Sequence, residues 1–211
     1  MKNIVTIQHT QAVHHNNGMV GSLTDWELTE FGCEQADRIG KRLAKDLAGK
    51  GFIMISSDLV RARRTAEIVG EHLGIVPRID TALREQDLGE AVGKSSEWAC
   101  ENALSEKPFH LFGERTVDER AFHGAETRRD VWNRLRPFME RLARATDENV
   151  IVISHGGTLR LLHAMWLGFD VEMLNHCDLA GRAGGVSFLR EDEHGKRILN
   201  RLNDMSFAAL S

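Results

Sequence analysis

Two histidines stand directly after short runs of β-branched residues: His9 after Ile4-Val5-Thr6-Ile7-Gln8, and His155 after Val150-Ile151-Val152-Ile153-Ser154. In an open α/β sheet, ligands bind beyond the carboxyl ends of the strands. Adjacent strands would therefore deliver both imidazoles to one crevice. His155 is followed by Gly156-Gly157 and an apolar helical stretch, where free backbone N–H groups and the helix dipole favour an anion. Arg61 opens a second strand-to-helix junction, Ser56-Ser57-Asp58-Leu59-Val60-Arg61, and its planar donors suit phosphate oxygens. A single His or Arg at a strand end is more often a satisfied or solvated residue without chemistry. Their joint placement at three strand ends is much harder to dismiss and suggests a site for an anion such as phosphate.

The elements that must hold these residues are legible from their periodicity. Ile4–Ile7, Phe52–Ser56 and Val150–Ser154 are apolar runs that suit strands buried on both faces of a parallel sheet. Ala36, Ile39, Leu43 and Leu47 recur at helical spacing behind Thr29 as N-cap, and Ala62, Ala66, Val69 and Leu73 do so ahead of Gly74 as helix stop. Val131, Leu135, Phe138 and Leu142 mark a third helix, and a fourth begins after Gly156-Gly157. Alternating strands and helices imply a three-layer α/β sandwich, with a mostly parallel central sheet and helices on both faces. Val186–Leu189 and Arg197–Leu199, joined by a charged turn, suggest a hairpin at the sheet edge. The whole chain, 1–211, reads as a single domain. Its segment at about 89–124 lacks clean periodicity and carries Trp98, Phe109, Phe112 and Phe122, as a lid or pocket wall would.

Composition narrows the function classes. The net charge of −4 leaves no basic excess to neutralise a nucleic-acid backbone, so an anionic ligand must be drawn by a local cluster. The apolar run near 159–169 is broken by Arg160, His163 and Gly168 and cannot span a bilayer, and the opening strand is too short for a signal-peptide core. Cys33, Cys100 and Cys177 lack metal-type spacing and read as free thiols in a reducing, cytoplasmic compartment.

Further along the chain, Leu28-Thr29-Glu30-Phe31-Gly32, Ser56 to Ala62 with Thr65-Ala66-Glu67, Leu83-Arg84-Glu85, Gly124 to Thr127, Ser154-His155-Gly156-Gly157 and Leu202-Asn203-Asp204 follow in order. In this series the chain resembles the histidine phosphatase superfamily, the phosphoglycerate mutase-like group, over nearly its whole length. The resemblance implies that His9 is a nucleophile forming a phosphohistidine. It implies that Arg61 and His155 stabilise the transferring oxygens, with Gly156 as a further backbone donor. Glu85 would be the general acid and base. The substrate would be a small phosphorylated metabolite, turned over without metal or other cofactor. A homodimer stays open.

One position departs from the pattern. Where the family carries Arg-His-Gly, this chain has Gln8-His9-Thr10. Losing a charge-assisted hydrogen bond costs about 1.5–3 kcal/mol, so Gln8 calls for a compensating cation. His15, if protonated, is the preferred candidate, with Arg64 one helical turn past Arg61 as the second. The alternatives are a phosphate-binding pseudoenzyme of the same fold, a mutase-type phosphotransferase, and a metal hydrolase using His9, His14, His15 and His155. Adjacent histidines rarely aim both rings at one ion, which weighs against the last. Length weighs against the mutase, since such enzymes are generally longer. Within the variable segment Lys94, Lys107, His110, Arg115, Arg120 and His123 are candidates for substrate contact, while His72, His163 and His194 read as packing or surface residues.

Overall fold

The computed structural model describes residues 2–104, 115–145 and 149–209. Its sheet contains β1 (Lys2–Gln8), β2 (Phe52–Ser56), β3 (Arg78–Ile79), β4 (Asn149–Ser154), β5 (Val186–Glu191) and β6 (Arg197–Asp204). They lie in the order β3-β2-β4-β1-β5-β6. β3, β2, β4 and β1 are mutually parallel, β5 pairs antiparallel with β1, and β6 pairs antiparallel with β5 at the edge. Successive side chains of a strand point to opposite faces. Val150 and Val152 of β4 accordingly meet α4 (Arg128–Arg144) and α5 (Gly156–Leu167) through Leu135, Phe138, Leu162 and Trp166. Ile151 and Ile153 meet α1 (Glu30–Asp46) and α2 (Val60–Leu73) through Ile39, Leu43, Ala62 and Val69. Burying one such aliphatic side chain is worth roughly 1.5–3 kcal/mol, so these two apolar layers fix the register of the central strands. The expected three-layer arrangement is present.

The expected helix ends also form. Thr29 Oγ1 accepts from the Gly32 N–H, and Thr127 and Asp130 make a reciprocal capping box at α4. Gly74 closes α2 in the left-handed region at φ 68°. In the variable segment a short α3 (Ser96–Asn102) is capped by Ser95, and its Ala99 joins a small cluster with Leu88, Ala91 and Phe122. Phe109 and Phe112, with Lys107 and His110, lie outside the described residues.

Candidate active site

The register β1–β4 pairs Gln8 with Ser154, so the chain leaves the sheet at His9 and His155 side by side. The His9 N–H donates to the Ser154 carbonyl at 2.9 Å. The two rings lie 5.1 Å apart, centre to centre. A cavity of about 360 Å³ opens here, walled by His9, Gln8, Arg61, Glu85, Gly156 and Gly157 among others.

His9 is buried, and its Nδ1 lies 2.8 Å from the Thr10 carbonyl. A carbonyl only accepts, so Nδ1 carries the proton and Nε2 keeps its lone pair. Arg61 Nε donates to that Nε2 at 3.2 Å. Burial, then the Arg61 charge, hold the His9 pKa well below the ordinary histidine value, leaving the ring neutral near pH 7. The remaining Arg61 donors reach the carbonyls of Thr24 and Ser22, both at 2.6 Å. Ser22 sits at φ 44°, a left-handed conformation that aims its carbonyl inward while its Oγ bridges Gln86 and Leu88.

Glu85 reaches the amino end of α5. Its carboxylate accepts from the N–H groups of Gly157 at 3.1 Å, Thr158 at 3.2 Å and Gln86 at 2.9 Å. The carboxylate thus occupies the helix N-terminus that the sequence suggested for an anionic ligand, and Gly156 remains beside Gln8 on the cavity wall. A Cβ on Gly156 would fall 3.1 Å from Gln8 Nε2, so the absent side chain lets the Gln8 amide lie flat against the helix start.

His155 is wholly buried. Its Nε2 lies 2.9 Å from Ser57 Oγ, and its Nδ1 has no hydrogen-bond partner. The ring is tilted by 59° to that of His9 rather than forming part of the cavity lining. Burial first, then Arg61, hold its pKa well below the ordinary value.

His15 does reach the site. Its ring stacks on His9 at 5.5 Å and 6°, and its Nδ1 accepts from the Ala12 N–H at 3.1 Å. Its pKa is lowered, by burial and then by Arg61, so in the open site it is a neutral donor. The second cation expected from protonated His15 is therefore not pre-formed. Arg64 does not reach the site at all. It is half exposed and pairs with Glu67 at 3.2 Å, because the rotation over three residues carries it out of the face from which Arg61 points inward.

The turn Val13–His15 brings its adjacent histidines together more closely than expected. One ring nitrogen each from His9, His14 and His15 lies within 4.8 Å of the others, a spacing able to hold a cation. His72 bridges α2 to Asp37 of α1, His163 is buried against Thr6, and His194 is exposed on the hairpin turn.

Sequence reasoning missed several residues of the site. Ser57 is one, although it stands inside the Ser56-Ser57-Asp58 motif. The carbonyls of Ser22 and Thr24 carry no side-chain signal. Arg128, Arg160, Asp178 and Ser96 also line the cavity, whereas Lys94, Arg115, Arg120 and His123 do not. No helix among the described residues is long and apolar enough to cross a membrane.

A buried neutral histidine at a strand end, an arginine at its Nε2 and a carboxylate on the adjoining helix start thus meet at one cavity. The chain belongs to the histidine phosphatase superfamily (branch 1), which it matches over residues 4–204. It is 32% identical over 179 residues to glucosyl-3-phosphoglycerate phosphatase of Mycobacterium tuberculosis, covering 81% of this chain and 77% of that one. A 2,3-bisphosphoglycerate-dependent phosphoglycerate mutase of Sinorhizobium fredii is 32% identical over 97% of this chain and 98% of its own. That near-equal length removes the length argument against a mutase. The structure of mycobacterial glucosyl-3-phosphoglycerate phosphatase with VO3 superposes with a TM-score of 0.82 at 27% identity, covering 96% of this chain and 99% of that one.

Proposed function

We propose that the protein is a metal-independent phosphomonoester hydrolase acting through a phosphohistidine on His9. The observation that carries this reading is the Thr10 carbonyl at 2.8 Å from His9 Nδ1, which leaves Nε2 as the nucleophile beside Arg61. In the first step Nε2 attacks phosphorus, the N–P bond forms and the bond to the ester oxygen breaks. Glu85, which takes up a proton as the anionic substrate binds, gives it to that leaving oxygen. In the second step the Glu85 carboxylate takes a proton from water, whose oxygen attacks phosphorus and releases phosphate from His9. Arg61 and the Gln8 amide support the charge on the transferring oxygens, and His155, outside the cavity lining, backs the His9 ring. His15 adds a neutral donor at the rim.

The phosphatases among the similar proteins support hydrolysis of a small phosphorylated metabolite. The chain is taken as one cytoplasmic domain without a nucleic-acid partner, and as a monomer or homodimer. The experiment is rapid mixing with p-nitrophenyl phosphate followed by quenching. The enzyme should carry an acid-labile, base-stable phosphate, and His9→Ala should lose both this label and turnover. Full activity in His9→Ala would overturn the assignment.

The mutase relative of equal length favours one second reading, a phosphotransferase. Inorganic phosphate released in step with substrate consumed separates hydrolysis from isomerisation. Binding of vanadate without any turnover would mark a pseudoenzyme.

A further inference from the structure

The turn Val13–His15 enters the site on a fixed backbone: Ala12 bridges Leu28, and the Val13 N–H donates to the Glu27 carbonyl at 2.9 Å. It carries two histidines toward His9, and one nitrogen from each of the three rings comes within 4.8 Å of the others. Their exposure is graded, with His9 buried, His14 half-buried and His15 exposed, so the cluster opens to solvent on the His15 side. His9 donates its Nδ1 proton to the Thr10 carbonyl at 2.8 Å and keeps a lone pair on Nε2. A backbone carbonyl placed in this way is what orients a metal-ligating imidazole. His14 packs on Gly21, where a Cβ would stand 2.8 Å from the ring, and its Nδ1 is buried with no hydrogen-bond partner. Gln8, on the same cavity wall, is a neutral amide.

We propose that His9, His14 and His15 form an inhibitory site for a borderline divalent cation, with Zn²⁺ as its type, which stops turnover by taking the Nε2 lone pair of His9. Imidazole nitrogen suits Zn²⁺ and Cu²⁺, whereas Mg²⁺ prefers oxygen. The binding site stands on the geometry alone; only the inhibition rests on His9 as the nucleophile. Zn–N bonds of about 2.0–2.1 Å set tetrahedral ligands roughly 3.4 Å apart, so the widest pair closes by up to about 1.4 Å. Side-chain rotation of His14 and His15 supplies this while the turn stays tied to Glu27 and Leu28. Whichever nitrogen His15 offers, it gives up the Ala12 N–H that its Nδ1 accepts, so it is the last of the three to close. The Arg61 charge acts on all three rings and opposes a cation, while Glu85 and Asp25 act on Arg61 with the opposite sign. A guanidinium in place of Gln8 would add a second repulsion. The ion and the phosphoryl group compete for one lone pair, so the ion inhibits and does not activate.

The test titrates ZnCl₂ into the untagged full-length protein by calorimetry and, separately, follows p-nitrophenyl phosphate hydrolysis with Zn²⁺ or Mg²⁺ added. One Zn²⁺ should bind per chain and inhibit, EDTA should restore the full rate, and Mg²⁺ should have no effect. His14→Gln should keep turnover without added metal and raise both the Zn²⁺ Kd and the inhibitory concentration at least about tenfold, the lower bound for losing even a residue that only orients a ligand. His9→Ala should weaken Zn²⁺ binding by the same measure. Gln8→Arg should weaken Zn²⁺ while it tightens vanadate, opposite signs that a merely loosened wall would not give. Binding that depends on His9 and His14 with turnover unaffected would uphold the site and reject His9 as the nucleophile. No binding of Zn²⁺, inhibition unchanged in His14→Gln, or activation by Zn²⁺ would each overturn the proposal.

Discussion

The Glu85 carboxylate and Gly157 are matched to one another: a Cβ on Gly157 would stand 2.5 Å from Glu85 Oε1. The second glycine of Ser154-His155-Gly156-Gly157 therefore makes room for the proposed acid, not for the phosphate. Gly157→Ala should push Glu85 out of line with the leaving oxygen while His9 and Arg61 stay in place. A displacement of about 1 Å can cost roughly 100-fold in rate. The loss should be large for alkyl phosphates and small for p-nitrophenyl phosphate, whose leaving group needs no proton. Steady-state kinetics on both substrates checks this, and equal losses would show that Glu85 does not act on the leaving group.

Gln8 lies between Gly156 and Gly181, against both of which a Cβ would come within 3.1 Å of its amide. With His15 neutral, no second cation among the described residues stands beside His9 in place of the missing guanidinium. Gln8→Arg should therefore tighten vanadate binding by about 5–30-fold, the equivalent of 1–2 kcal/mol. Unchanged vanadate inhibition would place the Gln8 amide outside the phosphoryl contacts.

Acid should destabilise the fold through its buried histidines. His163 is buried with Nε2 at 2.8 Å from Thr6 Oγ1, and burial pushes its pKa down to about 4. An unfolded histidine titrates near ~6.5. Between these values the unfolded chain binds the proton and the native one does not, so stability falls as pH falls from ~6.5 to about 4 and levels off below. One site of this kind is worth roughly 3 kcal/mol. His9 and His155 shift in the same direction and add to the same limb. Urea unfolding across this range should show a slope reduced by about one proton in His163→Gln, and an unaltered slope would contradict the assignment.

The clustered nitrogens of His9, His14 and His15 make metal dependence directly testable. Prolonged dialysis against EDTA should leave kcat/KM within about twofold of the untreated protein, since every proposed step runs through side chains and water. A loss restored by Zn²⁺ would instead support the metal hydrolase.

How much of this was legible in the sequence depended on which interaction dominated. Val150–Ser154 announces its strand because four consecutive apolar β-branched residues are buried on both faces. Arg78–Ile79 does not: it is two exposed residues long, and its pairing with Ile55 and Ser56 is a consequence of where α2 ends. α3 stayed hidden because only Ala99 of its seven residues is fully buried, too few to print a period. His9, His155 and Arg61 were readable because each sits at or just after a strand end, whereas Glu85 was legible only through the resemblance of Leu83-Arg84-Glu85 to a family motif. Arg64 misled because residues three apart on a helix are neighbours, yet Arg61 is directed inward by the Ser22 and Thr24 carbonyls while Arg64 meets Glu67 in solvent. Arg128, Arg160 and Asp178 come from three distant stretches, and nothing short of the fold joins them.

The two carbonyl bonds of Arg61 have a consequence for reading any allele at that position. The same guanidinium that faces the cavity also anchors the 22–24 backbone to α2, and Ser22 in turn fixes Gln86 and Leu88, next to Glu85. Lysine keeps the charge but cannot span both carbonyls and His9 at once. A loss of activity on replacing Arg61 is thus a composite, part missing charge and part slackened wall. Amide exchange at 22–24 and 86–88 would weigh the two, because only the second contribution loosens those backbones.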